Sequence, residues 1–416
     1  ADKEFAYLLK DLAVRRSFGD DITTYVDLLE LFNVSRMEEL PILENWARSR
    51  SPEGAEWIKV PLGLMGGNKP RILHMSQDHD GVHGMIAGTT GSGKSELLLT
   101  LIAGIAIRYD PSIVNFALVD YKGGSAFEPF RELPHTVDIV TNLEGNAVDR
   151  MFIAIKAELD RRSKILTDYN VKHIVEYRKK GYHLENPFPH LLIIVDEFAE
   201  MVAENAEFKA RFDSITRLGR AIGVSLILAT QRPTGAVTDQ MRANMKYKMC
   251  LRVETPDDSR ELLRRSDAAF LPSNLPGRCY LQVGNEALEL MQVARAGGSY
   301  NVSEDVVLED VIWLDEEERQ PTVLTMPTGT GLLGGDGKDD GDGAGEGPGQ
   351  ALTEGPATSF MHNPMSFTVQ EIADAINGRP ETMVDFVVGM TRLLAERTGV
   401  PKQSKPWPDP LPERLP

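Results

Sequence analysis

The sequence predicts an α/β protein: a mostly parallel central sheet with helices on both faces, plus a small N-terminal adaptor and a C-terminal linker and helical segment. Three observations carry this expectation. From Trp57 to about Tyr300, short apolar or β-branched runs alternate with helical patterns. One run, residues 84–87, passes directly into the glycine-rich stretch Gly88, Thr89, Thr90, Gly91, Ser92, Gly93, Lys94, Ser95, and then into the helical run 96–107. Another apolar run, residues 191–195, ends in the adjacent carboxylates Asp196 and Glu197.

In chain order, residues 1–56 read as a helical adaptor. Apolar positions recur at helical spacing over 4–15, and Thr23 or Thr24 is placed to cap a second helix through Tyr25, Leu28, Leu29 and Phe32. Residues 57–320 are expected to hold the main α/β domain, opening with short strands at 57–62, 71–74 and 83–87. Core strands follow at 113–119, 135–140, 191–195, 224–229, 248–253 and 278–283, and a long helical stretch runs from Glu144 to Lys180. Residues 321–358 read as a flexible linker. Its acids Asp336, Asp339, Asp340, Asp342, Glu346 and Glu354 face the single Lys338, and it has too little apolar surface to offset the entropy of ordering. Residues 359–416 resume helical patterning at 369–375 and 382–397, and the proline-rich strip around Pro406–Pro412 resembles a lead into a further domain.

Composition bounds the function. At 42% hydrophobic and 26% charged residues the chain is globular, and its longest apolar run, 97–107, is too short to span a bilayer. It opens Ala1-Asp2-Lys3-Glu4 with neither Met nor a signal-peptide pattern, as expected of a piece of something longer. The net charge of -17 argues against a general affinity for DNA, because phosphate binding is driven by clustered Lys and Arg. It leaves room for a small basic ring inside a pore. Cys250 and Cys279 sit in apolar runs without CxxC or Cys/His spacing, the pattern of buried thiols rather than a zinc site.

Residues 88–95 satisfy GxxxxGK[ST] with a strand before and a helix after, the context in which such a loop wraps phosphates with its N–H groups. Lys94 is then placed for the β and γ phosphates of ATP, and the Ser95 hydroxyl for Mg²⁺. The bland alternative is a glycine-rich surface turn. A phosphate cradle alone does not hydrolyse, and the strand ending in Asp196 and Glu197 supplies the second half. Asp196 is expected in the Mg²⁺ shell and Glu197 to orient or deprotonate the attacking water. Alone, an Asp-Glu pair would be a solvated loop or a helix cap. Gln231, ending a third apolar run before Arg232-Pro233, is a candidate sensor of the γ-phosphate or merely an ordinary polar turn. Asp120 and the loop residue Lys122 are weaker candidates for the pocket rim.

The combination of GTTGSGKSE, FALVDYKGG, LLIIVDEFAE, RLGRAIGVSLILATQRP and LPGRCYLQV resembles the FtsK/SpoIIIE branch of P-loop ATPases, most closely the first ATPase domain of the EccC/EssC family, over roughly residues 20–320. The resemblance implies a RecA-like P-loop sheet and a hexameric motor using ATP and Mg²⁺. It implies a place at the cytoplasmic face of the bacterial membrane, with membrane components of a type VII (ESX-like) secretion system engaged through regions outside this sequence. The substrates it implies are small helical-hairpin proteins carrying a Trp-X-Gly turn, and related effectors. It also implies an arginine contributed by a neighbouring subunit. Arg150 is the first candidate by its position after the DYKGG strand, and Arg217 and Arg220 are second. Read from spacing alone, Arg150 lies among Asp149, Ile153 and Glu158 on a helix and is equally suited to surface ion pairs. ATQRP at 229–233 is closer to the double-stranded DNA pumps of the same branch, which keeps a DNA translocase as the alternative; residues 369–397 lack the basic pattern of a winged-helix DNA reader. A nucleotide-dependent scaffold is a third reading, opposed by the intact Lys94, Asp196, Glu197 and Gln231.

Overall fold

The computed structural model describes residues 22–121, 126–141, 147–300 and 367–400, all in one compact unit. The expected first helix over 4–15, Lys122, the linker 321–358 and the terminal proline strip lie outside the described residues.

Ten strands form one sheet. They are β1 Lys59–Met65, β2 Lys69–His74, β3 Gly84–Ala87, β4 Val114–Asp120, β5 Thr136–Thr141, β6 His190–Asp196, β7 Val224–Thr230, β8 Tyr247–Cys250, β9 Arg278–Val283 and β10 Glu289–Val293. Their order is β2-β1-β10-β9-β8-β3-β7-β6-β4-β5. From β8 to β5 every pairing is parallel; from β2 to β8 every pairing is antiparallel. The sheet is therefore mixed. β3, β4, β6 and β7 are buried along their whole length, which is why they read as unbroken apolar runs without alternation.

Helices cover both faces. Ala117, Val119, Ile193, Val195, Leu226 and Leu228 point into a cluster with α4 Ala147–Asp168, α6 Phe198–Glu204 and α7 Glu207–Leu218. The residues between them face the other way. On that side the Phe116 ring lies against His135, His135 against Trp46, and Trp46 Nε1 donates to the Ala106 carbonyl at 2.8 Å. Trp46 belongs to α2 Ile42–Arg50 and Ala106 to α3 Lys94–Arg108, so the N-terminal segment is fastened to the helix that follows the glycine-rich loop.

Two local expectations are corrected, and one strand is added. The cap of the first described helix, α1 Leu28–Phe32, is Asp27, whose Oδ1 accepts from Glu30 N at 2.7 Å, while Thr23 makes a turn with Tyr25. The helical stretch 144–180 breaks into α4 and α5 Ile174–Lys179, because Asn170 turns left-handed at φ 50° and Val171 N closes back on Leu166 O at 3.0 Å. Strand β10 carries no alternation in sequence and was not expected there.

The remaining described α-helices are α8 Asp239–Asn244, α9 Pro256–Leu263, α10 Val369–Ile376 and α11 Met383–Arg397. The last two open with capping boxes, Thr368 with Glu371 and Thr382 with Asp385. α11 packs on α3, and Arg392 pairs with Glu132 at 2.8 Å.

Candidate active site

The loop 88–95 leaves β3 and enters α3 at the C-terminal edge of the parallel strands, where ligands collect in open α/β sheets. It is tied down on three sides. Gly88 N donates to Thr230 O at 3.2 Å, Thr89 N to Arg252 O at 2.9 Å, and Gly277 N to Ser92 O at 2.8 Å. Gly93, the residue before the helix, has φ 98°, and a Cβ there would lie 2.6 Å from Gly277 N. Only glycine meets both the dihedral and the close backbone approach.

The neighbouring strands end at the same level. β4 delivers Asp120 in register with Asp196 of β6, and β7 delivers Thr230 and Gln231. The structure thus brings Lys94, Asp120, Asp196, Glu197 and Gln231 together. Lys94, Asp196 and Glu197 are all buried. Lys94 Nζ donates to Asp196 Oδ1 and, at 2.7 Å, to Glu197 Oε1. Gln231 N donates to the other Glu197 oxygen at 3.3 Å, and Thr90 Oγ1 to the Gln231 side-chain oxygen at 3.1 Å. Burial raises the Asp196 carboxyl above its ordinary range; Lys94 opposes that rise, and Glu197 and Asp120 add to it. Glu197 itself sits in the left-handed region at φ 58°, ψ 39°. A non-glycine residue there stores of order 1 kcal/mol of strain, and the conformation turns its carboxylate back over the end of β6.

Lys94, Asp196 and Gln231 border a cavity of about 480 Å³, within the range of small-ligand sites. Thr89, Thr90, Gly91, Gly93, Lys94, Ser95, Asp196 and Gln231 line it. Ser95 and Asp196, a hydroxyl and a buried carboxylate on one cavity, are the hard oxygen donors a magnesium ion takes. Among the described residues no cluster of three or more His, Cys, Asp or Glu forms a separate metal centre.

The arginines fall elsewhere. Arg150 is in the first turn of α4, the helix after β5 at the far end of the sheet. Four strand spacings separate β5 from β3, roughly 19 Å, and Arg150 is not among the residues that line the cavity. It lies at the same edge of the sheet as the loop. Arg217 and Arg220 precede β7 and so lie at the opposite edge, where Arg220 donates to Asn244 Oδ1 at 3.2 Å.

The rest of the cavity lining was missed by sequence reasoning: Thr24, Tyr25 and Val26 from the N-terminal segment, with Pro276, Gly277 and residues 292–295. Tyr25 lies more than sixty positions before the loop, and no local pattern links the two.

Comparison with known proteins follows this geometry. Residues 48–235 match the FtsK/SpoIIIE family. The chain is similar to the ESX secretion system protein EccC of Geobacillus thermodenitrificans, 40% identical over 316 residues, covering 75% of this chain and 21% of that protein. It is similar to the ESX secretion system protein YukB of Bacillus subtilis, 35% identical over 420 residues, covering 100% of this chain and 25% of that protein. Among solved structures, the cytoplasmic domain of the Thermomonospora curvata type VII secretion ATPase EccC superposes with a TM-score of 0.60 at 34% identity, over 66% of this chain and 33% of that one. The chain thus spans between a fifth and a quarter of the length of the two curated relatives.

Proposed function

We propose that this chain, which carries an FtsK/SpoIIIE-family domain on a RecA-like P-loop ATPase fold, is an ATP-hydrolysing motor module of a type VII secretion system. One observation carries the reading: the phosphate-type loop, a buried Lys94 and Asp196 line one cavity at the C-terminal edge of the sheet, with Glu197 hydrogen-bonded to Lys94 beside it.

In this reading the loop amides and Lys94 hold the phosphates, and Ser95 and Asp196 would hold Mg²⁺, which would supply neutralising charge for phosphoryl transfer. A γ-phosphate on Lys94 would take that cation from Asp196 and Glu197, leaving Asp196 to hold the metal and Glu197 to orient the attacking water. Glu197 takes the proton as water bonds to the γ phosphorus and the bond to the β-phosphate oxygen breaks, giving ADP and inorganic phosphate. Gln231, bonded through its backbone to Glu197 and through its side chain to Thr90, links the water-activating group to the phosphate loop.

Arg150 is proposed as the arginine given to a neighbour. It shares the loop's edge of the sheet yet lies four strands away, the placement a ring of subunits requires. The assembly is proposed to be hexameric, to act at the cytoplasmic face of the membrane through partners outside this sequence, and to export small helical-hairpin proteins with a Trp-X-Gly turn. The secretion proteins EccC and YukB support this choice over a DNA pump, as does the net charge of -17. No helix among the described residues is long and apolar enough to cross a membrane.

The test is the response of ATP turnover to two added partners. Stimulation by a helical-hairpin secreted protein, with none by duplex DNA at about 150 mM salt, is expected. Stimulation by DNA alone would transfer the chain to the translocase reading.

A further inference from the structure

The loop and Asp196 account for the phosphate end of the cavity, and Thr24, Tyr25 and Val26, which also line it, belong to a strap that none of the recognised motifs includes. That strap, residues 22–27, is held rigidly on both sides of one residue. Before it, Arg278 Nη2 donates to Thr23 O at 3.0 Å. After it, Arg295 N donates to Val26 O at 2.8 Å, and Val26 is 1% exposed in a cluster with Leu31, Leu64 and Ala294. Between these anchors Tyr25 is 52% exposed, although it is a large aromatic residue lining the cavity.

A fixed backbone that presents an exposed aromatic ring to a ligand cavity makes a stacking platform. The ring brings a large contact area with little side-chain freedom to lose, and the anchored strap has been ordered in advance. The wall behind the platform is tied to the phosphate helix as well. Gly297 N donates to Glu96 Oε2 at 2.9 Å, and Glu96 directly follows Ser95. Loop and strap therefore form one rigid jaw, with phosphate chemistry on one side and an aromatic face on the other.

We propose that Tyr25 stacks on the base of the bound nucleoside triphosphate, so that the N-terminal strap completes the nucleotide site. The proposal rests on the nucleotide reading of the loop. Every base offers a π-face, so stacking of this kind strengthens binding without selecting adenine from guanine.

The experiment is calorimetric titration of the full chain and its Tyr25→Ala and Tyr25→Phe variants with MgATP, MgGTP and inorganic tripolyphosphate. Tyr25→Ala is expected to weaken both nucleotides about tenfold and leave tripolyphosphate unchanged, while Tyr25→Phe restores nucleotide binding to about the unsubstituted level, as a retained π-face requires. Unchanged ATP affinity in Tyr25→Ala, an equal loss for tripolyphosphate, or a Phe variant as weak as Ala would each overturn the proposal. If the unsubstituted chain bound neither ATP nor tripolyphosphate, the nucleotide reading would fail first and this inference with it.

Discussion

Lys94 Nζ stands 2.7 Å from Glu197 Oε1 and also bonds Asp196, so the cation of the phosphate loop is held by both carboxylates at the end of β6, two strands from β3. One charge thus links the group that would bind phosphate to the group that would activate water. Glu197→Gln keeps the shape and loses the base. It is expected to leave MgATP affinity within a few-fold and to slow hydrolysis by about two orders of magnitude or more, as read by single-turnover chemistry.

Asp196 gives a pH signature. Burial holds its carboxyl above the ordinary value of 3.8 despite Lys94. A raised folded-state pKa means that the stability from this group is full below 3.8 and is lost as pH rises through the raised value. Asp196→Asn is neutral throughout. Its melting temperature, relative to that of the unsubstituted chain, should be more favourable at pH 7 than at pH 4. A difference that shrank on going to pH 7 would contradict the account.

Trp46 joins the N-terminal segment to the phosphate helix, 1% exposed and hydrogen-bonded to Ala106 O. Trp46→Ala is expected to cost about 3–5 kcal/mol through the cavity it leaves. Urea unfolding should show a lower midpoint for the whole unit, in a single transition. A separate early transition would mean that the segment folds apart from the sheet.

Arg150 should matter only between subunits. In a chain forced into a ring by a fused hexamerising scaffold, Arg150→Ala is expected to abolish the gain in turnover over the dilute chain, a gain of about 10³ to 10⁵ for a trans arginine. MgATP binding, measured by titration, should stay unchanged. Persistence of the gain would pass the role to another arginine. Arg217 and Arg220, at the opposite edge of the sheet, are then less well placed than their motif position implies.

The site was legible where chemistry sits in a contiguous motif on a strand end. The loop 88–95, Asp196, Glu197 and Gln231 are each announced by an apolar run, and parallel pairing brings such ends to one edge. Strand β9 is observed over its expected bounds, Arg278–Val283. The parallel half of the sheet was legible from strands alternating with helices, whereas the antiparallel half from β2 to β8 was not, because a strand's own residues do not say in which direction it pairs. β10 escaped because its acidic first residue, Glu289, and interior Gln292 hide a strand flanked by β1 and β9. The helix α11 was legible, but its packing on α3 and the place of Tyr25 on the cavity were not: what each of them lies beside is distant in sequence, and an amphipathic pattern names no partner.

The central claim is that residues 88–95 hold ATP through Lys94. Calorimetric titration of MgATP into the unsubstituted chain and into Lys94→Ala tests it most directly. The account predicts saturable one-to-one binding that is largely lost in Lys94→Ala, while the variant keeps its fold by circular dichroism. Equal MgATP affinity in the two chains would contradict it.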